Sequence, residues 1–195
     1  GRIKPDPTGP GCQSDGDGGV TSCTPGGGYS SYCGTSMSSP TLCGIGALVI
    51  QDWRTLYPGK GDPMNSTLKA LLANSGVDLG PIGPDCKYGF GTVRARNAID
   101  QLRAGCVIEN SVGDGEQYEF LVIVGPDDEE LKITLAWDDV AASPLPLAAL
   151  VNDLDLVVLS PDGERFYPWT IDPANPGNEA TRDGEDHLNN MEQVS

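Results

Sequence analysis

The sequence predicts a chain of two unlike parts: a helical, loop-rich part over residues 1–106 and an antiparallel β-sandwich over residues 107–195. Three observations point there. The apolar period is helical up to Cys106 and alternating after it. All six cysteines lie in the first part. Acidity is concentrated in the second, where 20 Asp and Glu face 3 Lys and Arg, against 8 and 9 in residues 1–106. With 195 residues, 38% of them apolar, the chain can bury a core.

Residues 1–32 are punctuated by Pro and Gly, including GDGG and PGGG, and read as long loops with short extended pieces. From about Ser36 to Leu56 the chain reads as a helix apolar on most sides, through Met37, Leu42, Ile45, Leu48, Val49 and Trp53. A helix of that kind belongs inside a protein, and Gly44 and Gly46 would let neighbouring backbone come close. MNSTLKALLANSG predicts a second helix, capped by Asn65 or Ser66, with Leu68, Leu71 and Leu72 on one face and Gly76 at a left-handed stop. Asn65-Ser66-Thr67 also fits a glycosylation acceptor, but capping is the favoured role. A third helix is expected in TVRARNAIDQLRAG, with Ala95, Ala98, Ile99 and Leu102 as its stripe and Gly105 as its stop. YGFG before it reads as a tight turn against packed backbone.

In the second part, Tyr118, Phe120, Val122 and Val124 fall on one face of a strand, and Leu131, Ile133, Leu135 and Trp137 on one face of another. VGPDDEE turns between them, and LDLVVLSPDGERFYPW continues as strand, turn, strand. NNMEQVS follows with no closing strand, so the sandwich is expected to be truncated. The numbering starts at Gly1 with neither an initiator Met nor a signal sequence, and is expected to begin inside a longer or processed polypeptide.

Composition argues against some partners. A surface this acidic repels nucleic acid and anionic lipid. No apolar run reaches the roughly 18 residues of a membrane span. An even cysteine count in Gly-rich loops, without C-x-x-C, favours disulfides and an oxidising, extracellular compartment. A Cys12–Cys23 bridge would close the poorly apolar loop CQSDGDGGVTSC, although the sequence leaves the pairing open. Cys43 has the alternative of a small buried helix residue.

GTSMSSP at residues 34–40 places hydroxyls where the first helix begins. Helix capping is one explanation. The other is chemical: the N–H of Ser36 is an unpaired first-turn donor beside its own hydroxyl, at the positive end of the helix dipole. That arrangement suits an oxyanion, and Gly34 and Thr35 just before it would let a substrate chain approach the backbone.

GRIKPDPTGPG, then GTSMSSP leading into a helix, then TLKALLANSG and YGFGTVRARNAID resemble, in order and spacing, the C-terminal part of the catalytic domain of subtilisin-like serine proteases. The resemblance covers about residues 1–104 and implies an α/β fold there. It implies that Ser36 is the nucleophile and half of the oxyanion hole, that Gly34 and Thr35 line the approach, and that Pro40 is the first-turn proline. The implied substrates are polypeptides, and the implied partner is the upstream part of the same domain. In that family the Asp, His and second oxyanion donor, an Asn, precede the serine, so the chain by itself is expected to be inactive. No cofactor is implied for the chemistry. His187 sits in the polar stretch RDGEDHLNN, reads as a surface residue and is rejected as the base.

LKITLAWDDV, LVNDLDLVVLSPDG and NNMEQV resemble the jelly-roll-like β-sandwich that follows the catalytic domain in some secreted alkaline subtilases. The resemblance implies a secreted protein and allows structural Ca²⁺. Asp153 and Asp155 alternate onto one strand face and are the candidate metal ligands; Asp138, Asp139, Asp183 and Asp186 also stand in the acidic turns. For Asp153, bonding to turn N–H groups next to Asn152 is an equal alternative. Two other readings of the protein remain open: a pseudoprotease, and a non-enzymatic calcium-binding or adhesion module formed by residues 107–195.

Overall fold

The PGGG turn folds the chain back on itself in the computed structural model, which describes residues 2–12, 18–142 and 150–195. Strands β1 (Val20–Thr24) and β2 (Gly28–Tyr32) pair antiparallel, Val20 opposite Tyr32 and Thr24 opposite Gly28. Gly26 and Gly27 take φ of 92° and 84°, which a Cβ would oppose. Residues 13–17 of the expected GDGG loop lie outside the described residues.

Helix α1 (Thr35–Leu56) follows almost where the apolar run predicts it. It begins one residue early, so Pro40 lies in its second turn and contributes no N–H to the Ser36 carbonyl. The expectation of a central, enclosed helix is corrected. Only Val49 and Trp53 are buried, Leu48 and Leu56 are exposed, and nothing described approaches Gly44 or Gly46. The physical reason is one-sided cover: Val49 and Trp53 pack with Leu71, Ala98 and Leu102, while no described element lies over the remaining faces. Cys43 is exposed, not buried.

Helices α2 (Asn65–Asn74) and α3 (Ala95–Arg103) supply that cover. Arg103 ties α3 to α1 through a two-point bond to Asp52, Nε to Oδ2 at 2.9 Å and Nη2 to Oδ1 at 2.7 Å. The guanidinium holds the Asp52 carboxyl below its usual range. Gly105 ends α3 at φ 75°, as expected. Gly76 does not play that part in α2. Its φ is not left-handed, and a Cβ there would lie 3.0 Å from the Phe90 carbonyl oxygen, so it is small because backbone crosses it. Asn65 and Ser66 make no side-chain cap either; the N-cap position is Met64.

The second part departs furthest from expectation. Its strands are β3 (Ile133–Ala136), β4 (Val158–Leu159), β5 (Arg165–Phe166) and β6 (Met191–Val194), paired as β3 with β6 and β4 with β5. Two-stranded sheets that do not join are not a β-sandwich, and none is present among the described residues. Tyr118–Val124, expected as a strand, pairs with nothing described and leaves Leu121 and Ile123 almost fully exposed. Conversely, MEQV, read as lacking a strand, is β6. It is buried throughout and runs antiparallel to β3, Ile133 opposite Val194 and Ala136 opposite Met191.

The two ends of the chain meet. Ile3, Ala73, Phe90 and Met191 share one apolar cluster, and Asn189 Oδ1 accepts the Ile3 N–H at 2.6 Å. A polar relay continues inward: Gln193 Nε2 donates to Thr134 Oγ1 at 2.8 Å, Thr134 Oγ1 to Asn74 Oδ1 at 2.9 Å, and Asn74 Nδ2 to Gln101 Oε1 at 3.2 Å. It links β6, β3, α2 and α3, satisfying polar groups that burial would otherwise penalise.

Candidate active site

Ser36 is the second residue of α1 and is exposed. Its N–H is too near the helix start for an intrahelical acceptor and has none among the described residues, whereas those of Met37 and Ser38 reach the Gly34 carbonyl at 3.0 and 3.3 Å. The hydroxyl has no hydrogen-bond partner among the described residues either. A free donor and a free hydroxyl on one residue at a helix N-terminus form the local requirement for holding an oxyanion.

The turn that presents Ser36 is held from below by the GPG segment. Gly34 N–H donates to Gly11 O at 2.8 Å and Ser38 Oγ to Gly9 O at 2.7 Å. A Cβ on Gly11 would stand 2.7 Å from the Gly34 carbonyl oxygen, so these backbones touch. Cys33, just before the turn, is bonded to Cys12. This corrects the Cys12–Cys23 expectation: the β1–β2 hairpin brings residue 33 back beside residue 12, and Cys23 is free and exposed in β1, opposite Tyr29 near the turn of the hairpin. Gly34 itself takes φ 147° with open space where a Cβ would be, and Thr35 is exposed beside it.

The GPG segment is anchored in turn by YGFG. Thr8 N–H donates to Gly91 O at 2.9 Å, Val93 N–H to Thr8 O at 3.0 Å, and Phe90 N–H to Asp6 O at 2.9 Å. Gly89, at φ 59°, lies so close that a Cβ would fall 1.9 Å from the Asp6 carbonyl oxygen. The motifs read from the sequence as separate pieces are thus one stack behind Ser36.

The acidic residues divide by task. Asp138 Oδ2 accepts from the Ser66 N–H and hydroxyl at 3.4 and 3.2 Å, and Glu109 accepts from the Thr67 hydroxyl and the Met64 N–H. Both therefore cap α2 from the second part of the chain. Asp139 accepts from the N–H groups of Val151, Asn152 and Val140 at 2.8, 3.0 and 2.9 Å, and these donors, Val151 first, lower its pKa. It takes the turn-bonding role considered for Asp153. Asp186 is buried and bonds Leu188 N–H, Asn189 N–H and Asn189 Nδ2.

Asp153 and Asp155 meet His187 instead. Nδ1 of His187 is 2.9 Å from Asp153 Oδ2 and 3.7 Å from Asp155 Oδ1, and Nε2 is 3.8 Å from Glu185 Oε2. Burial, then the charges of Glu185 and Asp153, raise the Asp155 pKa. All three of Asp153, Asp155 and His187 are exposed, with ligand atoms within 4.8 Å of one another. Calcium favours roughly 6 to 8 oxygens, and an imidazole nitrogen between two carboxylates is a poor match to it. Beside this group Glu192 is fully buried: Oε2 accepts the Leu156 N–H at 2.8 Å, Oε1 has no partner, and burial pushes its pKa up to about 8. Sequence reading found the aspartates but not the histidine or Glu192, because no periodicity links residues 153–155 to 185–192.

Residues 1–91, a stretch just short of half of the chain, match the model of the Subtilase family, peptidase S8. That stretch contains the whole stack behind Ser36 up to Gly91. A solved structure described as the crystal structure of a lanthipeptide protease is 37% identical over an alignment covering 38% of this chain and 22% of that one, with a TM-score of 0.36. The present chain thus spans less than a quarter of that protease. Among the described residues no helix is long and apolar enough to cross a membrane.

Proposed function

We propose that the chain is the nucleophile-bearing part of a secreted subtilisin-like serine endopeptidase. The observation that supports this best is Ser36, exposed at the N-terminus of α1 with its own N–H unclaimed, on a turn braced by Gly9, Gly11 and the Cys12–Cys33 bridge. Ser36 Oγ attacks the peptide carbonyl carbon while its proton passes to a histidine base from the preceding part of the domain. The Ser36 N–H and the helix dipole hold the oxyanion. Collapse expels the amine, which takes the proton from the base, and water then hydrolyses the acyl-serine. Gly34 and Thr35 line the substrate approach.

His187 is not that base, since both its ring nitrogens lie against acids in the second part of the chain. The open faces of α1, including Leu48, Leu56 and a shallow groove along Ala47, Ile50, Gln51, Arg54 and Thr55, are covered by the upstream part of the same domain. Such cover would also explain the apolar composition of a helix that is otherwise exposed. The chain alone is therefore without proteolytic turnover.

The test is labelling of the full-length parent with a serine-directed fluorophosphonate, beside its Ser36→Ala variant. Labelling that disappears in the variant supports the proposal. Labelling that persists, or that is missing from the wild-type parent, refutes it.

A further inference from the structure

We infer that Asn189, in the loop before β6, is a positioning residue for Ser36: it fixes the segment that braces the nucleophile turn, so the second part of the chain sets the reactivity of a serine in the first. For its chemistry this rests on the protease reading, while the linkage itself belongs to the fold.

Asn189 is itself held in place. Asp186, also buried, accepts the N–H groups of Leu188 and Asn189 on Oδ1 at 2.9 and 3.1 Å, and Asn189 Nδ2 on Oδ2 at 2.6 Å. The last bond decides which way round the amide stands, because it engages the donor end and leaves Oδ1 as the acceptor on the other side. Asn189 Oδ1 meets the Ile3 N–H at 2.6 Å, with both residues buried. A buried N–H is costly to leave without its acceptor.

From Ile3 the chain runs as a strut to Gly11. Asp6 O accepts the Phe90 N–H, Thr8 exchanges bonds with Gly91 and Val93, and Gly9 O and Gly11 O accept from Ser38 Oγ and the Gly34 N–H. Gly34 and Ser38 stand two residues to either side of Ser36, so the placement of residues 9–11 fixes where its hydroxyl and N–H point. There is no slack at that end: a Cβ on Gly11 would lie 2.7 Å from the Gly34 carbonyl oxygen and 2.8 Å from Ser38 Cβ. At the other end, Ile3 and Phe90 share one apolar cluster with Met191, so the strut and its support both lean on residues 189–191. Close-packed interiors transmit small displacements, and a nucleophile misplaced by about 1 Å can lose on the order of a hundredfold in rate. A contact that only stabilised the protein would change how many molecules are folded, not how fast a folded one reacts.

The experiment follows the rate at which a serine-directed fluorophosphonate labels the full-length parent and its Asn189→Ala and Gln193→Ala variants. Gln193 is buried in β6 nearby, but its side chain bonds Thr134 of β3, so it controls for general damage to the second part. Asn189→Ala should lower the labelling rate constant by about tenfold or more at full final labelling, and Gln193→Ala should leave it near wild type. Asp186→Asn keeps the side-chain size but puts a donor where an acceptor stands, so it should slow labelling too and serves if Asn189→Ala does not fold. Hydrogen exchange, which needs no catalysis, should quicken at the Gly34 amide in Asn189→Ala and not in Gln193→Ala. A wild-type parent that is not labelled would refute the protease reading, and exchange at Gly34 would still decide the linkage. The inference is overturned if labelling of the Asn189 and Asp186 variants matches wild type, if Gln193→Ala slows it equally, or if exchange at Gly34 is unchanged.

Discussion

Asp138, two residues beyond β3, accepts the backbone N–H and the hydroxyl of Ser66, the second residue of α2, at 3.4 and 3.2 Å. The first turn of α2 has no side-chain cap of its own, so a carboxylate from 72 positions further along the chain does that work. Its charge also complements the positive end of the helix dipole.

Asp138→Ala should therefore lower stability by about 1 kcal/mol, the size of a lost N-cap. Asp138→Asn, which keeps an acceptor but not the charge, should lose less. Urea unfolding of the three proteins checks this; a loss no larger for Ala than for Asn would mean that the contact contributes nothing as a cap.

Glu192 makes stability depend on pH. Its pKa rises from 4.5 to about 8, chiefly through burial, with Asp186, Asp155 and Asp153 adding to the rise and the Leu156 N–H opposing it. The folded protein then binds the proton more tightly than the unfolded chain. The contribution is fully present below about pH 4.5 and is lost as pH rises towards 8, in total on the order of a few kcal/mol. In chelator-containing buffer, Glu192→Gln should flatten the fall in urea midpoint between pH 5 and pH 8. An identical fall in the variant would refute the assignment.

Gly89 separates contact from conformation. Its φ of 59° would cost alanine some strain, and a Cβ would also strike the Asp6 and Pro5 carbonyl oxygens at 1.9 and 2.0 Å. Gly163, at φ 91°, has open space in the same direction. Gly163→Ala should cost about 1 kcal/mol, and Gly89→Ala about 2 kcal/mol or more because the segment behind Ser36 must move. Thermal unfolding compares them; equal losses would show that close packing at residue 89 is unimportant.

Legibility followed locality. The three helices were readable because apolar periodicity is a property of neighbouring residues, and Gly105 as the stop of α3 and Gly89 and Gly91 as a turn were readable for the same reason. Strand pairing was not. Tyr118–Val124 alternates well yet finds no partner, while MEQV, too short to signal, is buried against β3. A strand exists only where another backbone completes its hydrogen bonds.

The sequence by itself determined that a serine stands at the head of a long apolar helix, with glycine before it and proline just inside. Tertiary structure alone decided that Cys33 closes on Cys12, that Asp138 caps and Asp139 pins, and that Asp153, Asp155 and His187 converge. The reason is physical: a helix start is written in adjacent side chains, whereas the work of a carboxylate or a thiol is set by whichever group the fold brings within bonding distance, however far away it lies along the chain.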